Sequence, residues 1–191
     1  MDTPTTGTTR APAPGRLALV QQFVNTHDVM EAEDRIDALP ALEGWLREHG
    51  LIEAGDGLDA GDLERALALR EALRDLLDDH DRPSPDAIRT LNSVPREASL
   101  RVSFDATGAP RLEPAGRGLD RAFAALLAIV ERAALDGTWE RLKVCADDGC
   151  RWAFYDRSKN RSGSWCVMAV CGNRAKARSY RERRRPAPRA S

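Results

Sequence analysis

The sequence predicts an α+β chain that is predominantly helical. It has a helical N-terminal domain with a small antiparallel β-hairpin, then a four-cysteine C-terminal module ending in a basic helix. Three observations predict this. Apolar residues recur at helical spacing over residues 59–80 and 118–135. Between them, Leu100, Val102 and Phe104 alternate with polar residues, the period of a half-buried strand. All four cysteines lie within 27 residues, Cys145 to Cys171, and a run rich in Ala, Lys and Arg follows.

The 191 residues suffice for one ordinary domain and a small module. Residues 1–16 are rich in Thr, Pro, Gly and Ala. They lack the basic start and apolar centre of a signal peptide, so a disordered tail and a cytoplasmic location are expected. No stretch approaches the roughly 18 apolar residues of a membrane span. The expected divisions are a mainly helical domain over 17–138, the cysteine module over 139–186, and a tail over 187–191.

Within the first domain, Leu19, Val20, Phe23 and Val24 share a helical face in the segment Leu17–Thr26. A second helix carries Leu42, Trp45 and Leu46. It starts near Pro40, which is tolerated only in a first turn, and stops at Gly50. Asp59 caps the longest helix, whose stripe includes Leu63, Leu69, Leu73 and Leu77. Ser84-Pro85 opens a short helix with Ala87, Ile88 and Leu91 as its expected buried face. Next come the strand over Leu100–Phe104, a turn at Asp105–Gly108, and a short returning strand at Arg111–Glu113. Pro110 and Pro114 mark the returning strand as an edge. Gly118 to Leu135 is again helical.

The net charge of −1 hides a division. Residues 141–191 hold fourteen Lys/Arg against four Asp/Glu, and the preceding 140 hold fifteen against twenty-six. A basic segment of this kind attracts polyanions, or docks on the acidic half of its own chain. His27, His49 and His80 have no cysteine near them and read as exposed or helix-end histidines. The acids Asp75, Asp78, Asp79 and Asp81 read as a solvated helix end. No nucleophile–base pair or phosphate-cradling glycine loop is visible, so no enzymatic activity is expected.

The cysteines form two Cys-x4-Cys pairs, Cys145/Cys150 and Cys166/Cys171, separated by fifteen residues. Two pairs of thiolates on short turns supply the four-sulfur shell that zinc prefers. Two disulfides conflict with a reducing compartment, and the spacing fits neither common ferredoxin pattern. The expectation is one structural Zn2+ held by Cys145, Cys150, Cys166 and Cys171. Lys143, Arg151, Arg157, Lys159 and Arg174 lie close enough in sequence to offset the thiolate charge. Trp152, Phe154 and Trp165 read as a miniature core, with base stacking as the functional alternative. After Cys171, Arg174, Arg178, Arg181 and Arg185 fall on one helical face, with Lys176 and Arg183 beside it and Pro186 as the stop.

Cys145 and Cys150, the stretch Trp152-Ala153-Phe154-Tyr155-Asp156-Arg157-Ser158-Lys159-Asn160, Trp165-Cys166, and Cys171-Gly172-Asn173-Arg174 together resemble the CGNR zinc finger over residues 141–185. The upstream part resembles the ABATE domain through Phe23-Val24-Asn25-Thr26, Trp45-Leu46 and Leu69-Arg70-Glu71-Ala72-Leu73-Arg74. Arg161-Ser162-Gly163-Ser164 is less basic than in many relatives, which weakens phosphate contacts from that loop. The resemblance implies a zinc-binding, stress-induced transcription regulator. It makes DNA the expected partner, with Arg174, Lys176, Arg178, Arg181, Arg183, Arg184 and Arg185 as contacts. The alternative is a zinc-stabilised protein-interaction module. A homodimer and a small-molecule effector of the N-terminal domain are compatible with either.

Overall fold

The structure, a computed structural model, describes residues 12–93 and 98–183, apart from the side chain of Glu182. Arg184, Arg185, the stop at Pro186 and the tail over 187–191 lie outside the described residues, as do residues 1–11. Helix α1 (Leu17–Val24) buries Leu17, Val20, Phe23 and Val24. The expectation of a disordered tail fails for residues 12–16. Ala13 is buried, and its N–H donates to Gln21 Oε1 at 2.7 Å, so the chain is held onto α1.

Two short strands, β1 (His27–Asp28) and β2 (Glu33–Asp34), follow as an antiparallel pair. They are too short to leave a period in the sequence. Helix α2 (Leu39–Glu48) has Pro40 in its first turn and buries Leu42, Trp45 and Leu46. Trp45 packs 5.4 Å from the ring of Phe23 and stacks at 4.2 Å on His49, whose ring Nδ1 donates to the Trp45 carbonyl. Gly50, at φ +65°, turns the chain out of the helix.

Helix α3 (Ala60–Asp78) starts at a full capping box. Asp59 accepts from the Asp62 N–H, and Asp62 reciprocates. Its apolar stripe centres on Ala66, Leu69, Leu73 and Leu77, but Arg70 and Arg74 are buried with them. Helix α4 (Pro85–Ser93) packs on α3 and buries only Ala87. Ile88 is exposed and Leu91 is only partly buried, contrary to the expected face.

Strands β3 (Ser99–Phe104) and β4 (Pro110–Ala115) form the expected hairpin, with Leu100 opposite Pro114 and Val102 opposite Leu112. Asp105 organises the turn by accepting from Thr107, Ala109 and Arg111. These hydrogen bonds, led by that of the Thr107 hydroxyl, hold its carboxyl well below the usual range. The expected half-burial of the first strand is not found: Val102 is 58% and Phe104 71% exposed. The hairpin meets helix α5 (Gly118–Leu135) more through β4 than through β3, and most β3 side chains stay exposed.

After α5, a single turn at Trp139–Arg141 leads into β5 (Leu142–Val144), which pairs antiparallel with β6 (Ala153–Tyr155). Leu142, Val144 and Ala153 belong to the same buried cluster as Phe23, Leu69 and Phe123. The cysteine module therefore shares its core with the helices. The chain ends, within the described residues, in helix α6 (Asn173–Arg183).

Candidate metal centre

Strand β5 delivers Cys145, whose N–H donates to the Trp152 carbonyl at 2.9 Å. Between them the chain folds tightly on itself. The Asp147 carbonyl accepts from the N–H groups of Cys150 (2.7 Å) and Arg151 (3.1 Å), and Arg151 adopts φ +47° to let β6 leave. The second pair sits on a widened π-type turn, Met168–Gly172. There the Val167 carbonyl accepts from Val170, Cys171 and Gly172, and the turn runs directly into α6. A bond from the Ala146 N–H to the Ser164 carbonyl, 2.9 Å, ties the two turns together.

The four Sγ atoms lie within 4.8 Å of one another, with Cys166 at 3.5 Å from both Cys150 and Cys171. A tetrahedral zinc site with bonds of about 2.3 Å has sulfur–sulfur edges of about 3.8 Å. The four donors thus match the ion in type, number and spacing, and none is close enough to another for a disulfide. Backbone N–H groups of Asp147 and Cys166 donate to the Cys145 sulfur, and that of Trp152 to Cys150. The hydrogen bond from Cys150 drives the Cys145 thiol strongly down, and the same contact pushes the Cys150 thiol up to about 12. Close sulfurs resist accumulating negative charge unless a cation joins them.

Trp152 and Trp165 pack on the cysteines. So does Met30 from the β1–β2 connection, which brings the N-terminal part over the centre. Asp156 anchors the loop that returns to Cys166. It is buried and accepts from the N–H groups of Ser158 (2.9 Å) and Gly163 (2.8 Å) and from Lys143 Nζ (3.0 Å). Burial disfavours its charge, but the Ser158 hydroxyl, foremost, and these donors prevail and hold its carboxyl well below the usual range. A Cβ on Gly163 would lie 2.8 Å from Asp156 Oδ1, so glycine is needed there by close approach.

Compared with known families, residues 17–137 match ABATE, described as "Putative stress-induced transcription regulator", and residues 141–184 match the CGNR zinc finger. The chain belongs to the ABATE family. No curated protein matches it. The CGNR motif, Cys171 to Arg174, has a physical reading at every position. Cys171 supplies a sulfur. Gly172 lies so close to Met168 and Trp165 that a side chain there would displace Met168. Asn173 Nδ2 donates to the Ala169 carbonyl at 3.0 Å, securing the widened turn. Arg174 lies 3.7 Å from the Cys171 sulfur and 3.2 Å from the buried carboxylate of Asp147, joining the two cysteine turns.

Two of the three ABATE segments named from the sequence, those holding Asn25 and Arg74, are where the domain grips the finger, while Trp45 packs on Phe23 and His49. Asn25 pairs with the backbone of Ala153 in β6: its Oδ1 accepts from the N–H at 2.8 Å and its Nδ2 donates to the carbonyl at 2.9 Å. Arg74, 1% exposed, donates to the carbonyls of Val24, His27 and Arg151. Arg70 forks onto both oxygens of Asp34 at 2.7 Å. Glu71 lies between the two arginines; burial disfavours its charge, yet the Arg74 and Arg70 guanidiniums hold its carboxyl below the usual range. Composition marked these residues as an amphipathic helix and gave no sign of the grip. Only the buried arginines on an apolar stripe, one and five residues after Leu69, could have signalled it.

The basic residues divide. Arg174 and Arg178 both pair with Asp147, at 3.2 and 3.3 Å, although each side chain keeps 46% of its surface exposed. Arg181 donates to the Ala177 carbonyl of its own helix, and Lys176, Arg181 and Arg183 are exposed. Among the cations expected to offset the thiolates, Arg174 reaches a sulfur. Lys143 is committed to Asp156, Arg151 to Asp75 at 2.8 Å, and Arg157 to the Pro12 carbonyl. None of the three histidines joins the centre: His27 meets Glu71, and His80 Nε2 donates to the Leu142 carbonyl.

Proposed function

We propose that this chain is a DNA-binding transcription regulator in which a single zinc ion is structural and α6 contacts nucleic acid. The observation that carries the reading is the coupling of α6 to the metal centre. The helix grows directly from the turn bearing Cys171, and its first two arginines are pinned to Asp147 in the other cysteine turn. Its outer cations, Lys176, Arg181 and Arg183, face solvent. A fixed helix with exposed cations suits phosphate contact and groove entry. Four cysteine ligands close the shell of the ion, leaving no position for substrate, so the proposal includes no catalysis.

The test is a fluorescence-anisotropy titration of the zinc-loaded full chain with duplex DNA across a salt series. Log K should fall with log salt, with a slope of about −0.9 for each phosphate that the protein neutralises. Replacing Lys176, Arg181 and Arg183 together by alanine should lower affinity and flatten that slope. Salt-independent binding, or affinity unchanged in the triple variant, would sink the reading.

A second reading, docking of the basic finger on acidic protein surface, is supported by the pairing of Arg151 with Asp75 and Asp78 of α3. That contact uses the first cysteine turn and leaves the outer face of α6 available. Pull-down before and after nuclease treatment separates the two: a partner that survives nuclease and needs the α6 cations favours protein docking.

A further inference from the structure

The β3–β4 hairpin has two edges of different kinds. Asp105 N–H donates to the Ala109 carbonyl at 3.0 Å, so this is a bonded pair. In an antiparallel ladder bonded and non-bonded pairs alternate, which makes Ser103–Arg111 and Arg101–Glu113 bonded as well. The backbone groups of Leu100, Val102 and Phe104 therefore point away from β4. Among the described residues β4 is the only strand that pairs with β3, and no turn or loop backbone hydrogen bond meets these groups. On β4 the outward positions are Pro110, Leu112 and Pro114, two of which have no N–H to offer. One edge is blocked in the way native proteins block exposed strands, and the other is left complete.

We propose that a second copy of this chain pairs with β3 through that open edge, antiparallel, about a two-fold axis at Val102. In this register Val102 faces its own counterpart and Leu100 faces Phe104 of the other copy, so every outward group of the strand is used. Arg101 falls opposite Ser103, so no like charges meet across the edge. Within each copy Arg101 is paired with Glu113 at 3.0 Å and Arg111 with Asp105 at 2.7 Å, which leaves the hairpin neutral. The exposed apolar side chains of Leu100, Val102 and Phe104 then gain neighbours of their own kind. Both β3 edges are consumed at the axis and both proline-bearing β4 edges lie outside. The assembly closes as a dimer and does not extend into a fibre.

Sedimentation equilibrium of the full zinc-loaded chain, without nucleic acid, tests this independently of any DNA reading. The wild type is expected at about twice its 21.0 kDa chain mass. Val102→Pro removes an outward N–H only, as Pro110 and Pro114 already do on β4, and should lower the mass two-fold with the circular-dichroism spectrum unchanged. Val102→Lys should do the same by setting two cations side by side at the axis, and it decides the matter should the proline variant lose its fold. Leu112→Pro, on the blocked edge, should remain dimeric. A wild type that is monomeric at high micromolar concentration overturns the proposal. So does a natively folded Val102→Lys variant that stays dimeric, or a Leu112→Pro variant that is folded and monomeric.

Discussion

Arg74 is a full charge inside an apolar stripe, satisfied by three carbonyls and Glu71. Replacing it with Met leaves those carbonyls buried and unpaired, and should cost about 3–5 kcal/mol in urea unfolding. Two glycines make a contrasting pair. A methyl at Gly163 meets the Asp156 carboxylate, which three donors hold in place, so Gly163→Ala should lose about 1–3 kcal/mol. A methyl at Gly172 meets the end of Met168, a flexible and half-exposed side chain that can swing aside, so Gly172→Ala should lose less. The same unfolding series ranks them, and an equal loss for both contradicts the argument. Asp156 also sets a pH dependence. Its folded-state pKa is depressed, so its contribution is complete above the ordinary carboxylate range near pH 4 and is lost as pH falls through the folded value. Asp156→Asn should be less stable than wild type at neutral pH, and the gap should narrow on acidification from pH 5 downward. A gap that stays constant with pH would disprove the assignment.

Between elements, the decisive junction is α1 with β6. Asn25 closes α1 and presents its amide to Ala153 as a strand would, so the finger hairpin gains a third partner without a third strand. Asn25→Ala should cost about 1–3 kcal/mol, with amide exchange quickening in β6 first. Unchanged protection of Ala153–Tyr155 would contradict it. The helices carrying this junction were legible because each has a long stripe and a chemical boundary: Asp59 caps α3, Pro40 opens α2 and Gly50 closes it. The cysteine spacing was legible because four soft donors in two pairs have few uses. What was hidden depends on partners far away in the chain. Nothing in Phe23-Val24-Asn25-Thr26 says that the amide meets Ala153, 128 residues on. The alternation of Leu100, Val102 and Phe104 specified a strand correctly, yet it could not say that α5 would pack mainly on β4 and leave these three side chains exposed. Likewise Arg174 and Arg178 read as a free basic face until Asp147 folded back against them.

At the scale of the whole molecule, the acidic and basic parts of the chain are held as one body by three different kinds of contact. Leu142, Val144 and Ala153 enter the core of the N-terminal helices, Arg74 and Asn25 bind the finger backbone, and Met30 packs on the cysteines. Among the described residues no helix is long and apolar enough to cross a membrane. Metal occupancy should therefore govern more than the finger. Structural zinc contributes on the order of 10 kcal/mol in small peptides, and its removal would leave four crowded sulfurs beneath Met30. Chelation should lower the melting temperature of the entire chain, by about 2–4 °C for each kcal/mol of stability removed in a protein of this size. It should do so in a single calorimetric transition, because β5 and β6 pack on α3 and α1 and carry Leu142, Val144 and Ala153 of the shared core away with them when they unfold. Independent modules predict something else: a finger that melts early and helices that melt at their former temperature. Calorimetry with and without chelator, read beside far-ultraviolet circular dichroism, separates the outcomes. A helical transition that keeps its temperature after the metal is gone would show that the shared core does not couple them.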